Sequence, residues 1–383
     1  HYCRRYEPAA VACEWHVETA LRKRRIATAS FNSALLRDPD AVVTKTGRIY
    51  RVFTPYSKAC FAHGAPEAPA RTPHSWEAPA RFPRSDSIDD LELLPRLNWA
   101  DEFPEHWKPG EAGAHTALRR FLAHIDEYPD ERNRPDHAGS SRLSPHLHFG
   151  EISPRQIWEA VCHACDESPA HPKRGEPFLR ELLWREFAHV QLFHEPESPE
   201  NPLRPEFADF PWRDDRKSLR AWQRGETGFP WIDAGMRQLW RTGWMHNRVR
   251  MAAGSFLVKD LLIPWQKGAA WFWDTLVDAD LANNTMNWQW VAGCGVDAAP
   301  FFRVFNPVLQ GQRFDPEGEY VRTWVPELAR LPAQWIHQPW KAPTEVLESA
   351  GVRLGDNYPE PIVDHDEARQ RALDALHKVT ARA

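Results

Sequence analysis

Apolar and polar positions follow different rhythms in different parts of this chain. From Tyr6 to Arg25 the apolar residues recur at helical spacing, and a helix is expected there. The run RIATAS then leads to Phe31-Asn32. Short apolar runs around Val42-Val43 and Ile49–Phe53 flank Lys45–Gly47, a turn signal. This reads as the last part of an α/β domain whose earlier strands are not in this sequence. Between Phe61 and Gly110 the periodicity disappears, and Pro66, Pro69, Pro73, Pro79 and Pro83 block a regular helix. A linker is expected, wrapped over the surface, with Trp76, Leu91, Leu94 and Trp99 as apolar anchors. From Glu111 onward the helical period returns. Helices are predicted over Ala112–Ile125, Ser153–Cys165, Pro177–Phe193, Asp215–Arg224, Trp231–Thr242, His246–Asp260, Gln266–Leu276 and Ala342–Ser349. Ser153 with Pro154 and Asp215 read as helix starts, and Gly243 and Gly295 as helix ends. No internal repeat is apparent.

Composition narrows the picture. The chain has 383 residues and a formal net charge of -5, so a uniformly basic coat is excluded while a local basic patch is not. The 19 Trp and 34 Pro are unusual; so many indoles point to dense helix packing or to aromatic chemistry. The 6 Cys are scattered and form no dense disulfide framework. Cys162-x-x-Cys165 is a lone pair, read as ordinary thiols in preference to a redox or metal pair. No segment has the apolar length of a membrane span and no signal peptide is visible. A chain that opens without Met fits a fragment or a processed form.

Four segments carry candidate chemistry. In GSSRLSPHLHFGEISP, Ser140, Ser141 and Ser144 bracket Arg142 and Leu143. Hydroxyls and free N–H groups before a helix suit a phosphate; a polar loop ending in a cap is the alternative. In FLRELLWREFAHVQLFH, Glu181 and Arg185 stand at i,i+4, the spacing of an ordinary surface ion pair. Alternatively Glu181 and Trp184 share a cavity wall. In GWMHNRVRMAAGSFLVKD, Asn247, Arg248 and Arg250 cluster between Trp244 and Met251, and His246 lacks the company of a catalytic base. In the fourth, Asp278, Asp280, Asn283, Asn284 and Asn287 precede Trp288 and Trp290. Their amides suit the polar edges of a heteroaromatic ligand, with an amide-rich helix junction as the alternative. No metal-ligand spacing is present. Together the segments suggest a concave pocket for a large aromatic cofactor with phosphates, and a second, nucleic-acid ligand.

The motifs TGFPWIDAGMRQLWRTGWMHNRVRM, FLVKDLLIPW, DADLANN and WQWVAGCGVDAAPFFRVFNP resemble the photolyase/cryptochrome family. The resemblance covers nearly the whole chain and is strongest from Leu118 to Trp340. It implies an α/β N-terminal antenna-type domain, incomplete here, joined by a long linker to an all-helical FAD-binding domain. On this sequence those parts fall at 1–60, 61–110 and 111–383. It implies FAD as catalytic cofactor, a second antenna chromophore of folate type, UV-damaged DNA as partner, a monomer, and a cytoplasmic location without membrane attachment.

The implied cofactor-binding residues are Tyr128, Ser140, Ser141, Arg142, Leu143, Ser144, Phe178, Arg185, Asn247, Asp278, Asp280 and Asn284, the last near flavin N5. Phe178 departs from a Trp found in some relatives. Plant cryptochromes carry Asp where Asn284 stands, so Asn284 favours repair over signalling. Glu181 resembles the carboxylate that hydrogen-bonds the damaged bases, and Trp184 and Trp290 resemble the aromatic walls that grip the lesion. Arg132, Asn247, Arg248, Met251, Arg303 and Gln310 fall on the implied DNA side. Photolyases for (6-4) lesions carry histidines where Asn247 and Met251 stand, which favours cyclobutane pyrimidine dimers. Trp288, Trp265 and Trp212 match the photoreduction chain. The implied activity is light-driven dimer repair by electron transfer from excited reduced FAD to the flipped-out lesion. A photosensor on the same fold and a non-catalytic DNA-binding module are the other readings.

Overall fold

This computed structural model describes residues 1–70, 74–75, 78–94, 97–168, 172–298 and 302–381. Strand Tyr2–Cys3 pairs in parallel with strand Ser30–Phe31, and helix Pro8–Lys23 makes the crossover. Parallel strands need such a crossover because a tight turn leaves the chain running the other way. This unit carries the expected α/β character, and its helix falls within the expected Tyr6–Arg25, but its strands are not at the later apolar runs. The run around Val42-Val43 leads into a turn closed by the Thr44 N–H on the Arg48 carbonyl (2.8 Å), with Gly47 at φ 75°. The run at Ile49–Phe53 leads into helix Phe53–Ala62. Its buried residues Phe53, Tyr56, Ser57 and Cys60 recur at i, i+3, i+4 and i+7, so a helical face begins where the apolar run ends.

The stretch after this helix is held down at fewer points than expected. Leu91 and Leu94 are not anchors; they are 57% and 88% exposed. A 3₁₀ turn at Asp89–Leu91 is closed locally by Ser87 and Asp90. Trp99 does anchor, with its ring centroid 5.2 Å from those of both Phe103 and Trp240. Trp107 adds a hydrogen bond from its Nε1–H to the Thr242 carbonyl (2.7 Å). Pro73 and Trp76 lie outside the described residues.

The rest is helical. Helices Glu111–Leu122, Pro154–Ala164, Glu176–His194, Arg216–Arg224, Pro230–Thr242, Trp265–Thr275 and Thr344–Ala350 lie close to the expected bounds. Ser153 forms a full capping box with Gln156, and Asp215 caps helix Arg216–Arg224. The expected helix over His246–Asp260 divides: Asn247–Ser255 is α-helical and Phe256–Asp260 widens into a π turn. Helix Leu281–Ala292 was concealed by Asn283, Asn284 and Asn287, which are poor helix formers. It ends at Gly293 (φ 88°), not at Gly295. Helices Pro307–Phe314 and His365–Thr380 were also not anticipated.

Two apolar clusters support this body. One is built on Trp222, Trp231, Phe256, Trp265 and Trp288. The other joins Leu36, Val42, Phe53 and Tyr56 from the N-terminal side to Leu179, Leu183 and Phe187 of the long helix Glu176–His194. The long helix packs on Leu281–Ala292, and beside this pair lies a cavity.

Candidate functional site

Helical faces line a cavity of about 560 Å³. The long helix contributes Phe178, Glu181, Leu182 and Arg185, at i, i+3, i+4 and i+7, with Trp184 beside them. Helix Asn247–Ser255 contributes Asn247, Arg250, Met251 and Gly254 with the same spacing. Helix Leu281–Ala292 contributes Asn283, Asn284, Asn287, Trp288 and Trp290. A helix presents one stripe to a neighbour, which is why residues this far apart in sequence converge.

One end is polar. Ser140, Ser141, Arg142, Leu143 and Ser144 line it. Arg142 adopts a left-handed conformation (φ 52°) and lays its guanidinium over the Trp244 ring, 4.5 Å from the centroid. Asp278 ties this end together. Its carboxylate accepts from the Ser144 hydroxyl (2.7 Å) and from Arg250 Nη2 at 3.2 and 3.0 Å. Asp280 caps helix Leu281–Ala292 by accepting the Asn283 N–H (2.8 Å). Burial alone would raise its pKa, but His189, His148 and Arg185 hold it well below the usual carboxylate range. The donor set fits a flavin dinucleotide: hydroxyls and arginines suit phosphates, and the Asn-rich helix suits the edges of a heteroaromatic ring.

The other end carries Trp184 and Trp290 with Glu181. Here the expected Glu181–Arg185 pair is not formed. Glu181 instead pairs with Arg132 Nη2 at 2.7 Å, and Arg185 donates to the Ala34 carbonyl (2.6 Å). Tertiary neighbours offer both groups shorter, better-aligned partners than the weak i,i+4 contact. Arg132 also lies over the Tyr128 ring, 5.1 Å from its centroid, and Phe178 meets Tyr128 edge-to-face. Arg248 donates from Nε to Asn133 Oδ1 (2.8 Å), and Asn247 Nδ2 approaches Met251 Sδ at 4.0 Å. His246, which also lines the cavity, is a buried cap whose Nδ1 accepts the Arg248 N–H (3.2 Å). Burial, with Arg250 nearby, pushes its pKa down to about 4, so the ring is neutral near neutral pH.

Trp288 lies where cavity and core meet. Its ring packs edge-on against Phe272 (5.0 Å) and Trp222 (6.2 Å). Gly268 makes room for it, because a Cβ there would fall 2.1 Å from Trp288 Cη2. Trp265 is buried in the core, and Trp212 packs partly buried on Phe210 (4.3 Å). Trp265, Trp212, Arg303 and Gln310 are the candidate residues that do not line the cavity. Arg303 is exposed, and its carbonyl accepts from the buried Lys259. Sequence reasoning put Arg250 and Trp244 in a candidate segment without giving them a role, and did not single out His148, Asn133 or Asp297; all five line the cavity. Arg250 was legible as the i+3 neighbour of Asn247. Asp297 had no local signal.

The comparisons agree with this geometry. The family profile described as the FAD binding domain of DNA photolyase matches residues 178–378, and the DNA photolyase profile matches residues 1–74. The chain is 48% identical over 380 residues to the deoxyribodipyrimidine photo-lyase of Agrobacterium fabrum, covering 98% of this chain and 78% of that protein. It is 38% identical to cryptochrome-1 of Arabidopsis thaliana over 98% of this chain and 56% of that protein. The crystal structure of a bacterial class III photolyase from Agrobacterium tumefaciens superposes with a TM-score of 0.94 at 48% identity, covering 99% of this chain and 79% of that one. No helix among the described residues is long and apolar enough to cross a membrane. A cavity with this donor set, inside a fold and sequence matched along almost their whole length, places the chain in the photolyase/cryptochrome family.

Proposed function

We propose that this chain repairs cyclobutane pyrimidine dimers in DNA with light, using FAD held in the cavity. The observation that carries the reading is the make-up of one cavity. Glu181, Trp184 and Trp290 share it with Asn284, Asp278, Asp280, Asn247 and Met251; the family resemblance puts the last two where (6-4) enzymes carry histidines. Ser140, Ser141, Ser144, Arg142 and Arg250 hold the cofactor phosphates. Asp278 keeps Ser144 and Arg250 in place, and Asn284, in the same cavity, would serve the polar edge of the flavin ring. Bound reduced FAD supplies an electron to the lesion when it absorbs light.

The linked pyrimidines leave the stack and enter between Trp184 and Trp290; unstacking costs less for a damaged pair, which contributes selectivity. Glu181 accepts hydrogen bonds from the lesion bases, with Arg132 orienting its carboxylate. Arg248 at the cavity and Arg303 and Gln310 outside it contact the strand. Trp288, Trp265 and Trp212 would relay electrons inward from an external reductant toward the bound cofactor, and Trp222 supports Trp288 by packing against it. The folate-type antenna, the monomeric state and the cytoplasmic location rest on the family resemblance, and the division at residues 60 and 110 on the loss of periodicity between Phe61 and Gly110 together with that resemblance.

The test is illumination of reduced, FAD-loaded protein with dimer-containing oligothymidine, read as recovery of pyrimidine absorbance. Recovery in light and none in darkness is expected. FAD-loaded protein that gives no light-dependent recovery overturns the proposal and leaves the photosensor reading.

A further inference from the structure

Trp184 and Trp290 come from different helices, and a grip on flat bases depends on how firmly each ring is held. Stacking one base on an aromatic ring contributes about 1–3 kcal/mol. Dispersion contacts lose about a quarter to a half of their depth over a gap of about 0.5–1 Å. The backing of each ring is therefore part of the binding site.

Phe53 backs Trp184. The rings stack at 3.5 Å with an interplanar angle of 9°, and Arg180 lies over the Phe53 ring at 5.2 Å. Phe53 is only 2% exposed, while Trp184 keeps contact with the cavity. Asp297 backs Trp290, whose Nε1–H donates to the Asp297 carbonyl (3.0 Å). The same residue reaches the start of the Phe53 helix. Its Oδ1 accepts the Phe53 N–H (3.2 Å), a first-turn donor with no partner inside the helix, and its own N–H donates to the Arg51 carbonyl (3.2 Å). Asp297 sits in the left-handed region (φ 53°), which Asp tolerates better than most side chains. The brace is tied to the long helix as well: Gln191 Nε2 donates to the Tyr50 carbonyl (2.9 Å), and Arg51 pairs with Glu195.

We infer that Phe53 and Asp297 are positioning residues that lock the two aromatic walls to one another through the segment at residues 51–53. The N-terminal part of the chain then sets the fit of the lesion end without touching the lesion. This rests on the assignment of Trp184 and Trp290 as lesion walls.

The test measures affinity for dimer-containing and undamaged duplexes, together with FAD content and melting temperature, in full-length variants. Asp297→Asn keeps an acceptor for Phe53 and the left-handed backbone, and should bind like the parent. Asp297→Gly keeps the backbone but removes the acceptor. Phe53→Leu keeps an apolar filler but removes the ring stack. Both should lower the preference for damaged over undamaged DNA about tenfold, with undamaged-DNA affinity and FAD content unchanged. Trp184→Ala and Trp290→Ala serve as controls. If both controls lose the preference while Asp297→Gly and Phe53→Leu keep it, the brace is overturned and the walls stand. If the controls also keep it, the wall assignment itself is wrong. Should Asp297→Gly not fold, Phe53→Leu alone decides.

Discussion

The two ends of the cavity are secured by different physics. At the polar end, charged hydrogen bonds join elements of the helical body: Ser144 and Arg250 meet on the Asp278 carboxylate. At the aromatic end, ring stacking and a few backbone hydrogen bonds tie Trp184 and Trp290 to residues near the N-terminus. A charge network holds a polyanionic cofactor strongly but fails badly when one partner is lost. Stacked rings hold flat bases more weakly but adjust by degrees. Cofactor retention and lesion grip should therefore respond to different mutations.

The largest effect is expected at the polar end. Asp278→Ala leaves Arg250 without its carboxylate and Ser144 without its acceptor, at a cost of about 3 kcal/mol. Purified variant should have lost most of its flavin, read from visible absorbance after gel filtration. If flavin content stays at the parental level, the charge network does not hold the cofactor. A packing change should act more mildly: Gly268→Ala drives a methyl into Trp288, for about 2 kcal/mol of overpacking. A lower melting temperature with slower photoreduction is expected, and an unchanged photoreduction rate would remove Trp288 from the relay.

At the aromatic end, Trp290→Ala should cost about 1.5 kcal/mol, roughly tenfold in lesion affinity, while flavin stays bound. Flavin loss in this variant would collapse the distinction between the two ends. Glu181→Ala should slow repair per photon more than it weakens binding, since the carboxylate, held by Arg132, is proposed to face the lesion bases and not the cofactor; loss of flavin there would reassign it to the cofactor end.

The smallest effect concerns acid. His246 is held down to about 4 in the folded chain, whereas its ordinary value is 6.5. Between those values the unfolded chain takes up a proton that the folded chain refuses. The stabilisation from this neutral, buried ring is thus full above pH 6.5 and is lost as pH falls toward 4. His246→Asn keeps a cap acceptor for the Arg248 N–H and should flatten the melting-temperature profile across that window. A profile as steep as the parent's would assign the acid sensitivity to another group.

Much of the polar end was legible before any coordinates. Ser140–Ser144, Asp278 and Asp280 announce themselves by residue type, and helical spacing carries Asn247 to Met251 and Phe178 to Arg185 onto shared faces. The Asn-rich helix was harder to see as a helix, because its amides lower helix propensity and tertiary packing makes up the difference. The aromatic end was legible only in part. Trp184 and Trp290 stand out, but their supports do not. Phe53 read as the end of a short apolar run, and nothing local marked Asp297.

What this sequence determined by itself was local: which stretches coil into helices, which face of each is apolar, and where Ser, Asp and Asn stop or start them. Those follow from side-chain spacing and backbone hydrogen bonding over a few residues. Only the tertiary structure decided partners. Glu181 takes Arg132 over the residue one turn away, Phe53 stacks on Trp184, and Asp297, which holds Trp290, reaches Phe53 across 244 positions of chain. Each of these contacts depends on how whole helices pack, and no periodicity along the chain records it.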